Sequence, residues 1–366
     1  MIARIALGPA GLARRVGMVK KTAMERTAAK AAQANTMLGV RVAPPPGAAK
    51  REVTVEKPAD DPFLDLGLDW KVLEEAGAIR VRQHVNPLQK QHQIPATGLE
   101  WDKVFADPKL PLVVDVGCGP GRFLLLLAKR WGTEGRKCNY LGIEIRTKMA
   151  ERANKWAKLL GLDGNVHFLA TNATISMKSL LEKYPGDLDL VCVQFPDPHF
   201  KRKHHKRRTV QPQFVDEVTE RLAPGGRVFL QSDVEAVAID MRDQFEERHA
   251  EKFELDKAHA EGRTFPARQA RFYEVLHDRM TEGGKKAVSG AEVIVEGAKH
   301  DELELDGQWD GDDGGSFRSK WAQAGWLVDN PLPAPTEREV YELVNEKFGG
   351  VAHRILLVKK DAGDGK

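Results

Sequence analysis

Short apolar runs recur along the middle of the chain, each closed by glycine, proline or a polar residue and followed by positions of helical spacing. Leu112-Val113-Val114-Asp115-Val116 is mostly apolar and β-branched, as expected of a strand buried on both faces. Asn139 to Glu144, Val166 to Ala170, Leu188 to Phe195 and Arg227 to Asp233 repeat the pattern, and His353 to Lys360 supplies a last strand. Between them lie helices: Phe123 to Arg130, ending in cations that suit its dipole, and a stripe of Met149, Ala153, Trp156 and Leu160 closed by Gly161. Ile175 to Tyr184 follows, then a helix marked by Phe214, Val218 and Leu222 and stopped by Pro224-Gly225-Gly226. Val237, Met241 and Phe245 line one face of another. Strand and helix alternating in this way predict an α/β fold, a mostly parallel doubly wound sheet with helices on both faces.

Such sheets bind ligands beyond the carboxyl ends of their strands, where the strand order reverses. Gly117, Glu144, Asn172, Asp197 and Asp233 all fall at strand carboxyl ends. After the first strand, Gly117-Cys118-Gly119-Pro120-Gly121 forms a turn over which a ligand can pass close to the backbone, because glycine lacks Cβ and tolerates positive φ. A dinucleotide fingerprint would need glycine at position 122, where Arg122 stands. Glu144, 23 positions beyond Gly121, can accept both hydroxyls of a ribose; an exposed acid at a helix N-terminus is the competing reading. Asn172 is placed to meet an adenine edge or to cap the next helix. The fourth strand delivers Asp197 between Pro196 and Pro198, which hold it in a stiff turn. Six Lys/Arg among the eight positions Lys201 to Arg208 then make a phosphate-binding patch, or else a solvated charged loop.

Composition changes this picture at the ends. The 366 residues carry 56 basic and 53 acidic side chains, a net charge of +3, so the distribution matters more than the total. Met1 to Lys50 holds nine Lys/Arg, thirteen alanines and the single acid Glu25, with Pro44-Pro45-Pro46-Gly47 near its end. That resembles an organellar transit peptide, with chloroplast favoured over mitochondrion; the alternative is a basic arm touching nucleic acid in the cytoplasm or nucleus. Cys118, Cys138 and Cys192 form no CxxC pair, which excludes a disulfide framework, fits a reducing compartment and offers no zinc site. No apolar run has the length of a membrane span.

Taken together, Gly117-Cys118-Gly119-Pro120-Gly121, Leu141-Gly142-Ile143-Glu144, the Pro196-Asp197-Pro198 turn with its cationic run, and Gln231-Ser232-Asp233 resemble the tRNA (guanine-N7)-methyltransferase family, over Pro111 to Phe253 and again over Gly325 to Lys360. Arg82-Gln83-His84, Asn330-Pro331 and Thr336-Glu337-Arg338-Glu339 look like its plant and algal branch. The resemblance implies a Rossmann-like class I methyltransferase with a seven-stranded sheet, S-adenosyl-L-methionine as cofactor and tRNA as partner. The implied reaction is methylation of N7 of a guanosine in the tRNA variable loop. Asp197 would be the catalytic residue. Asp115, Gly117, Gly119, Gly121, Glu144, Ile145, Asn172 and Ala173 would bind the cofactor. Substrate would meet Lys201, Arg202, Lys203, Lys206, Arg207, Arg208, Asp233, Thr336 and Glu339. Two positions qualify this. His199-Phe200 stands where the family has Trp, and Thr336-x-x-Glu339 after Pro335 is equally a helix capping box.

The expected organisation is a removable basic segment over 1–58, an irregular lead-in with short helical pieces over 59–110, the core over 111–255, an acidic insertion over 256–324, and the return of the core over 325–366. Within the insertion, Phe272, Val275, Leu276 and Met280 suggest an amphipathic helix, and Asp301 to Ser316 carries seven acids and no Lys/Arg. Oligomeric state is not set by the sequence; a homodimer and a non-catalytic partner subunit both stay open. Two rival functions do as well. A small-molecule methyltransferase would leave the cationic run without a role. An inactive RNA-binding module would leave the glycine turn and Glu144 without one.

Overall fold

A computed structural model describes residues 62–68, 81, 85–97, 99–200, 202–267, 318–340 and 351–361. The basic segment 1–58, Arg82 and His84, the helix expected around Phe272 to Met280 and the acidic stretch from Asp301 all lie outside the described residues.

The strands are β1 (Leu112–Val116), β2 (Asn139–Glu144), β3 (Val166–Ala170), β4 (Leu188–Gln194), β5 (Leu222–Ser232), β6 (Phe253–Leu255), β7 (Thr264–Phe265), β8 (Trp326–Leu327) and β9 (His353–Lys359). Seven of them form one sheet in the order β3-β2-β1-β4-β5-β9-β6. The first five run parallel; β9 is antiparallel to both β5 and β6. This is the mostly parallel sheet that the alternation of strands and helices predicts, with the seven strands that the resemblance to class I methyltransferases implies. A two-stranded ladder of β7 and β8 pins the start of the insertion to the start of the return. All described residues belong to one compact unit, Val53–Lys366.

Among the described residues five helices of nine residues or more lie between the strands: α1 (Arg122–Thr133), α2 (Thr147–Leu159), α3 (Ala173–Leu181), α4 (Pro212–Arg221) and α5 (Glu235–His249). They cover two cores, one on each face of the sheet. Phe123, Trp131 and Trp156 of α1 and α2 pack on one face, and Met177, Phe214 and Phe245 of α3, α4 and α5 on the other. Leu124 to Leu127 are four consecutive leucines with no exposure, because the lead-in segment Pro62–Leu66 covers the side of α1 turned away from the sheet. Each contributes about 1.5–3 kcal/mol of burial, which fixes α1 and hence the turn before it.

β5 departs from expectation. It begins at Leu222, directly after α4, and carries Pro224-Gly225-Gly226 inside it. Leu188 pairs with Leu222 and Leu190 with Arg227, so the Pro-Gly-Gly segment is a register shift within a strand and not the stop before one. Among the described residues no helix is long and apolar enough to cross a membrane.

Candidate cofactor and nucleic-acid site

β1 and β4 are neighbours, with β2 and β3 on one side and β5 on the other, so the connection order reverses between them. Val116 pairs with Val193. Gly117 therefore leaves the sheet beside the strand that ends in the Asp197 turn. The crevice expected at such a reversal is bounded by these two loops.

The glycines of the first loop do two different jobs. Gly117 (φ +76°) and Gly119 (φ +54°) hold backbone conformations that disfavour a side chain, and a Cβ on either would meet nothing within 4 Å. They face open space. Gly121 (φ +85°) faces inward, where a Cβ would stand 2.6 Å from the Phe168 ring. Gly142 on β2 is inward too, at 2.3 Å from the same ring. The first pair clears room for a ligand and the second lets the loop sit on β3. Arg122, in place of a third glycine, is buried with its guanidinium over the rings of Phe63 and Trp156 and 4.0 Å from Glu337.

Glu144 is buried at the end of β2. Its carboxylate accepts the Gly119 N–H at 3.0 Å and the Arg146 backbone N–H at 2.9 Å. Arg146 also donates from Nε to Oε1 (2.8 Å) and from Nη2 to Oε2 (2.9 Å). Burial works against the charge of Arg146, but Glu144 and then Asp197 outweigh it and raise its pKa. Arg146, which no motif in the sequence singles out, thus lies in the field of both acids. Ile145 follows Glu144, half-buried. Asp115 is buried on β1, and burial pushes its carboxyl up to about 7 against the hydrogen bond from Gln194 Nε2 (3.1 Å).

At the end of β3 the structure gives Asn172 to the capping role. Its Oδ1 accepts from Thr174 N (3.1 Å), and its Nδ2 donates to His92 O (3.1 Å) and weakly to Pro87 O (3.4 Å). The amide expected at an adenine edge is spent on capping α3 and on tying down residues 87–92. Ala173 begins α3, buried.

The Asp197 turn is strained at both ends. Phe195 (φ +48°) and His199 (φ +45°) are non-glycine residues with left-handed backbones. Such residues cost about 1–3 kcal/mol each and persist where their surroundings over-determine them. Phe195 N donates to Gln231 O at 2.8 Å, and the Arg338 guanidinium lies over the Phe195 ring at 5.7 Å. Arg338 also pairs with Asp233, just past β5. Burial keeps the His199 imidazole below its usual pKa. Asp197 is half-buried.

The cationic run divides. Lys203 and Lys206 are exposed and Arg207 is half-buried, on a 3-10 turn over Arg202–Arg207. Lys201 and the side chain of Arg202 lie outside the described residues. Arg208 is not part of the patch, a correction to the sequence reading. It is 6% exposed, pairs through Nη1 with Asp240 Oδ2 (3.1 Å), and donates from Nε to Pro198 O (3.1 Å).

Thr336 and Glu339 also turn inward. Thr336 N and Oγ1 donate to Glu339 Oε2 (2.8 and 3.1 Å), and Glu339 N donates to Thr336 Oγ1 (3.3 Å), which is the capping box. Glu339 also accepts from Gln231 Nε2 (3.1 Å), Asn330 Nδ2 (3.1 Å) and Arg354 Nη2 (2.9 Å). Gln231 Nε2 donates in turn to Gln194 Oε1 (2.7 Å). A buried polar chain therefore crosses the sheet, from Asp115 through Gln194 and Gln231 to Glu339 and Arg354. Its only sequence signal is one polar residue near the end of each of three apolar strands. Among the described residues no group of three His, Cys, Asp or Glu is placed to hold a metal ion.

Comparison with known proteins adds identity to this geometry. Residues 109–287 match a family described as putative methyltransferase. Over 166 residues the chain is 51% identical to the tRNA (guanine-N(7)-)-methyltransferase of Synechococcus sp. (strain JA-3-3Ab), covering 45% of this chain and 67% of that one. Proteins of the same name from Trichormus variabilis (48% over 171 residues, 46% and 76% of the two chains) and Synechocystis sp. (42% over 172 residues, 46% and 78%) are similar along comparable stretches. Among solved structures, a SAM-dependent O-methyltransferase from Thermotoga maritima aligns at 18% identity over 42% of this chain and 48% of that one, with a TM-score of 0.27, too low to bear on the reading.

Proposed function

The chain belongs to the tRNA (guanine-N(7)-)-methyltransferase family, and on that premise we propose that it methylates N7 of a guanosine in tRNA, at the variable loop, using S-adenosyl-L-methionine. The observation that supports this reading is the pairing of β1 with β4, from whose neighbouring ends the open glycine turn and the strained Asp197 turn leave the sheet.

The residues fit the cofactor. Gly117 and Gly119 leave free the space that a Cβ would take, and Glu144, at the end of β2, would meet a ribose by exchanging the Arg146 donors it now accepts for the two hydroxyls. Those residues, with Gly121 shaping the loop from behind and Asp115, Ile145 and Ala173 around them, would hold it. When bound, it supplies a methyl carbon on a sulfonium, which leaves as a thioether. Guanine N7 carries an in-plane lone pair and no proton, so no general base is needed. The protein's task is alignment, worth about 7–11 kcal/mol of barrier when complete. The purine becomes cationic as it is methylated, and Asp197 is the carboxylate fixed to stabilise that charge or to accept from the guanine's Watson–Crick edge. Asp233 stands at the next strand end, paired with Arg338. Labelled methyl groups, the chain and tRNA form the direct test. N7-methylguanosine in the variable loop is the expected product; label in a small acceptor, or none in tRNA, overturns the proposal.

Lys203 and Lys206, with Lys201, Arg202 and Arg207, would meet the phosphates. Replacing Lys203 and Lys206 by alanine should reduce the slope of log affinity against log salt by roughly 0.7–0.9 for each phosphate they neutralise. A slope that does not move would place both side chains away from the nucleic acid. The basic, acid-poor segment 1–58 is proposed as a chloroplast transit peptide on its composition.

A further inference from the structure

Arg208 ends a run of cations yet points into the protein. Its fork reaches Asp240 Oδ2 of α5 at 3.1 Å and the carbonyl of Pro198 at 3.1 Å. Arg208 and Asp240 are each 6% exposed and line a small pocket with Pro196, Asp197, Thr209, Val210, Val237 and Met241. A buried ion pair loses much of its Coulomb gain to desolvation, and apolar residues of similar volume often do as well for stability. Holding a shape is the better account of it. The shape in question is strained, with left-handed backbone at Phe195 and His199. β5 and Arg338 grip the amino-terminal end of the turn; Arg208 grips the carboxyl-terminal end, one residue past Asp197.

We propose that Arg208 and Asp240 are positioning residues for methyl transfer: a clamp from α5 that fixes Pro198, and through it the Asp197 carboxylate, at the crevice. This rests on the assignment of Asp197 as the catalytic residue. α5 thereby sets the geometry of a turn that belongs to β4, and the cationic run is anchored at its last member while Lys203 and Lys206 face outward.

The test replaces the clamp by apolar side chains of similar size, Arg208→Met with Asp240→Leu, in the full chain. Thermal midpoint, donor Kd and tRNA Kd should stay close to wild type while kcat falls about 100-fold, the scale of an ångström-sized misplacement. A kcat within threefold of wild type overturns the proposal, as does a loss confined to either Kd. Should the double variant not fold, Arg208→Lys answers instead. A single ammonium lacks the fork that serves Asp240 and Pro198 together, so kcat should fall on the order of 10-fold with both Kd values kept; an unchanged kcat overturns the clamp. Asp197→Ala runs alongside. Full turnover there removes the catalytic assignment itself, whereas a dead Asp197→Ala beside fully active clamp variants removes only the clamp.

Discussion

Asp197→Ala lowers kcat for tRNA methylation by about 100- to 1,000-fold, the usual loss when one preorganised electrostatic group is removed from a transition state, and leaves the donor's Kd within about twofold. The split follows from where the parts sit. The glycine turn, Glu144 and Arg146 lie at the ends of β1 and β2, where Glu144 binds the Gly119 N–H and Arg146 directly, while the Asp197 charge acts on Arg146 from the β4 side. Asp197 belongs to β4, in a turn whose two left-handed residues hold it apart from the strand that carries it. Removing one carboxylate there changes the charge offered to a developing purinium and the field at Arg146, and leaves the Glu144 bonds to Gly119 and Arg146 in place. Asp197→Asn divides the role further. An amide keeps the size and one acceptor but loses the charge, so a rate near that of Ala assigns the effect to charge, and a rate near wild type assigns it to orientation. Full turnover in Asp197→Ala would sink the mechanism, because it gives no other group on the β4 side that role.

Elements buried on both faces are readable from the chain, and their partners are not. β1 and β2 have the boundaries expected from their apolar runs, since a strand covered on both sides has no alternation to misread, and β3, half-covered at the sheet edge, keeps its expected bounds through an alternating pattern. β6, at three residues on the sheet edge, carries no such run and leaves no local mark. Pro224-Gly225-Gly226 reads locally as a turn, and the pairing of β4 with β5 overrides it. The strand-end positions of Gly117, Glu144 and Asp197 follow from where each run stops. What spacing cannot supply is the far partner of a polar side chain. Arg208 meets Asp240 across 32 positions and Gln231 meets Glu339 across 108. Within six cations in eight positions, nothing local tells the member that turns inward from Lys203 and Lys206, which face solvent.

Glu339→Ala destabilises the protein by about 3–5 kcal/mol, the range for stripping one partner from a buried charge pair, and lowers the thermal midpoint by roughly 6–20 °C at about 2–4 °C per kcal/mol. Arg354, 9% exposed, would keep its bonds to Gln231 Oε1 (3.0 Å) and Val328 O (2.6 Å) but lose the only anion it is seen to meet among the described residues. Gln231 and Asn330 lose an acceptor, and Thr336 loses the reciprocal half of its capping box. Thr336→Ala, which removes only the cap hydroxyl, should cost about 1 kcal/mol. The contrast separates two roles for the same carboxylate. If Glu339 served chiefly to hold the guanine edge, its loss would appear in tRNA methylation at an unmoved thermal midpoint. Its two oxygens already take hydrogen bonds from Gln231, Asn330, Thr336 and Arg354, so reaching a base would mean shedding buried donors that have no water to turn to. A midpoint within about 2 °C of wild type, the shift of less than about 1 kcal/mol, with methylation lost, would show that the carboxylate makes that exchange.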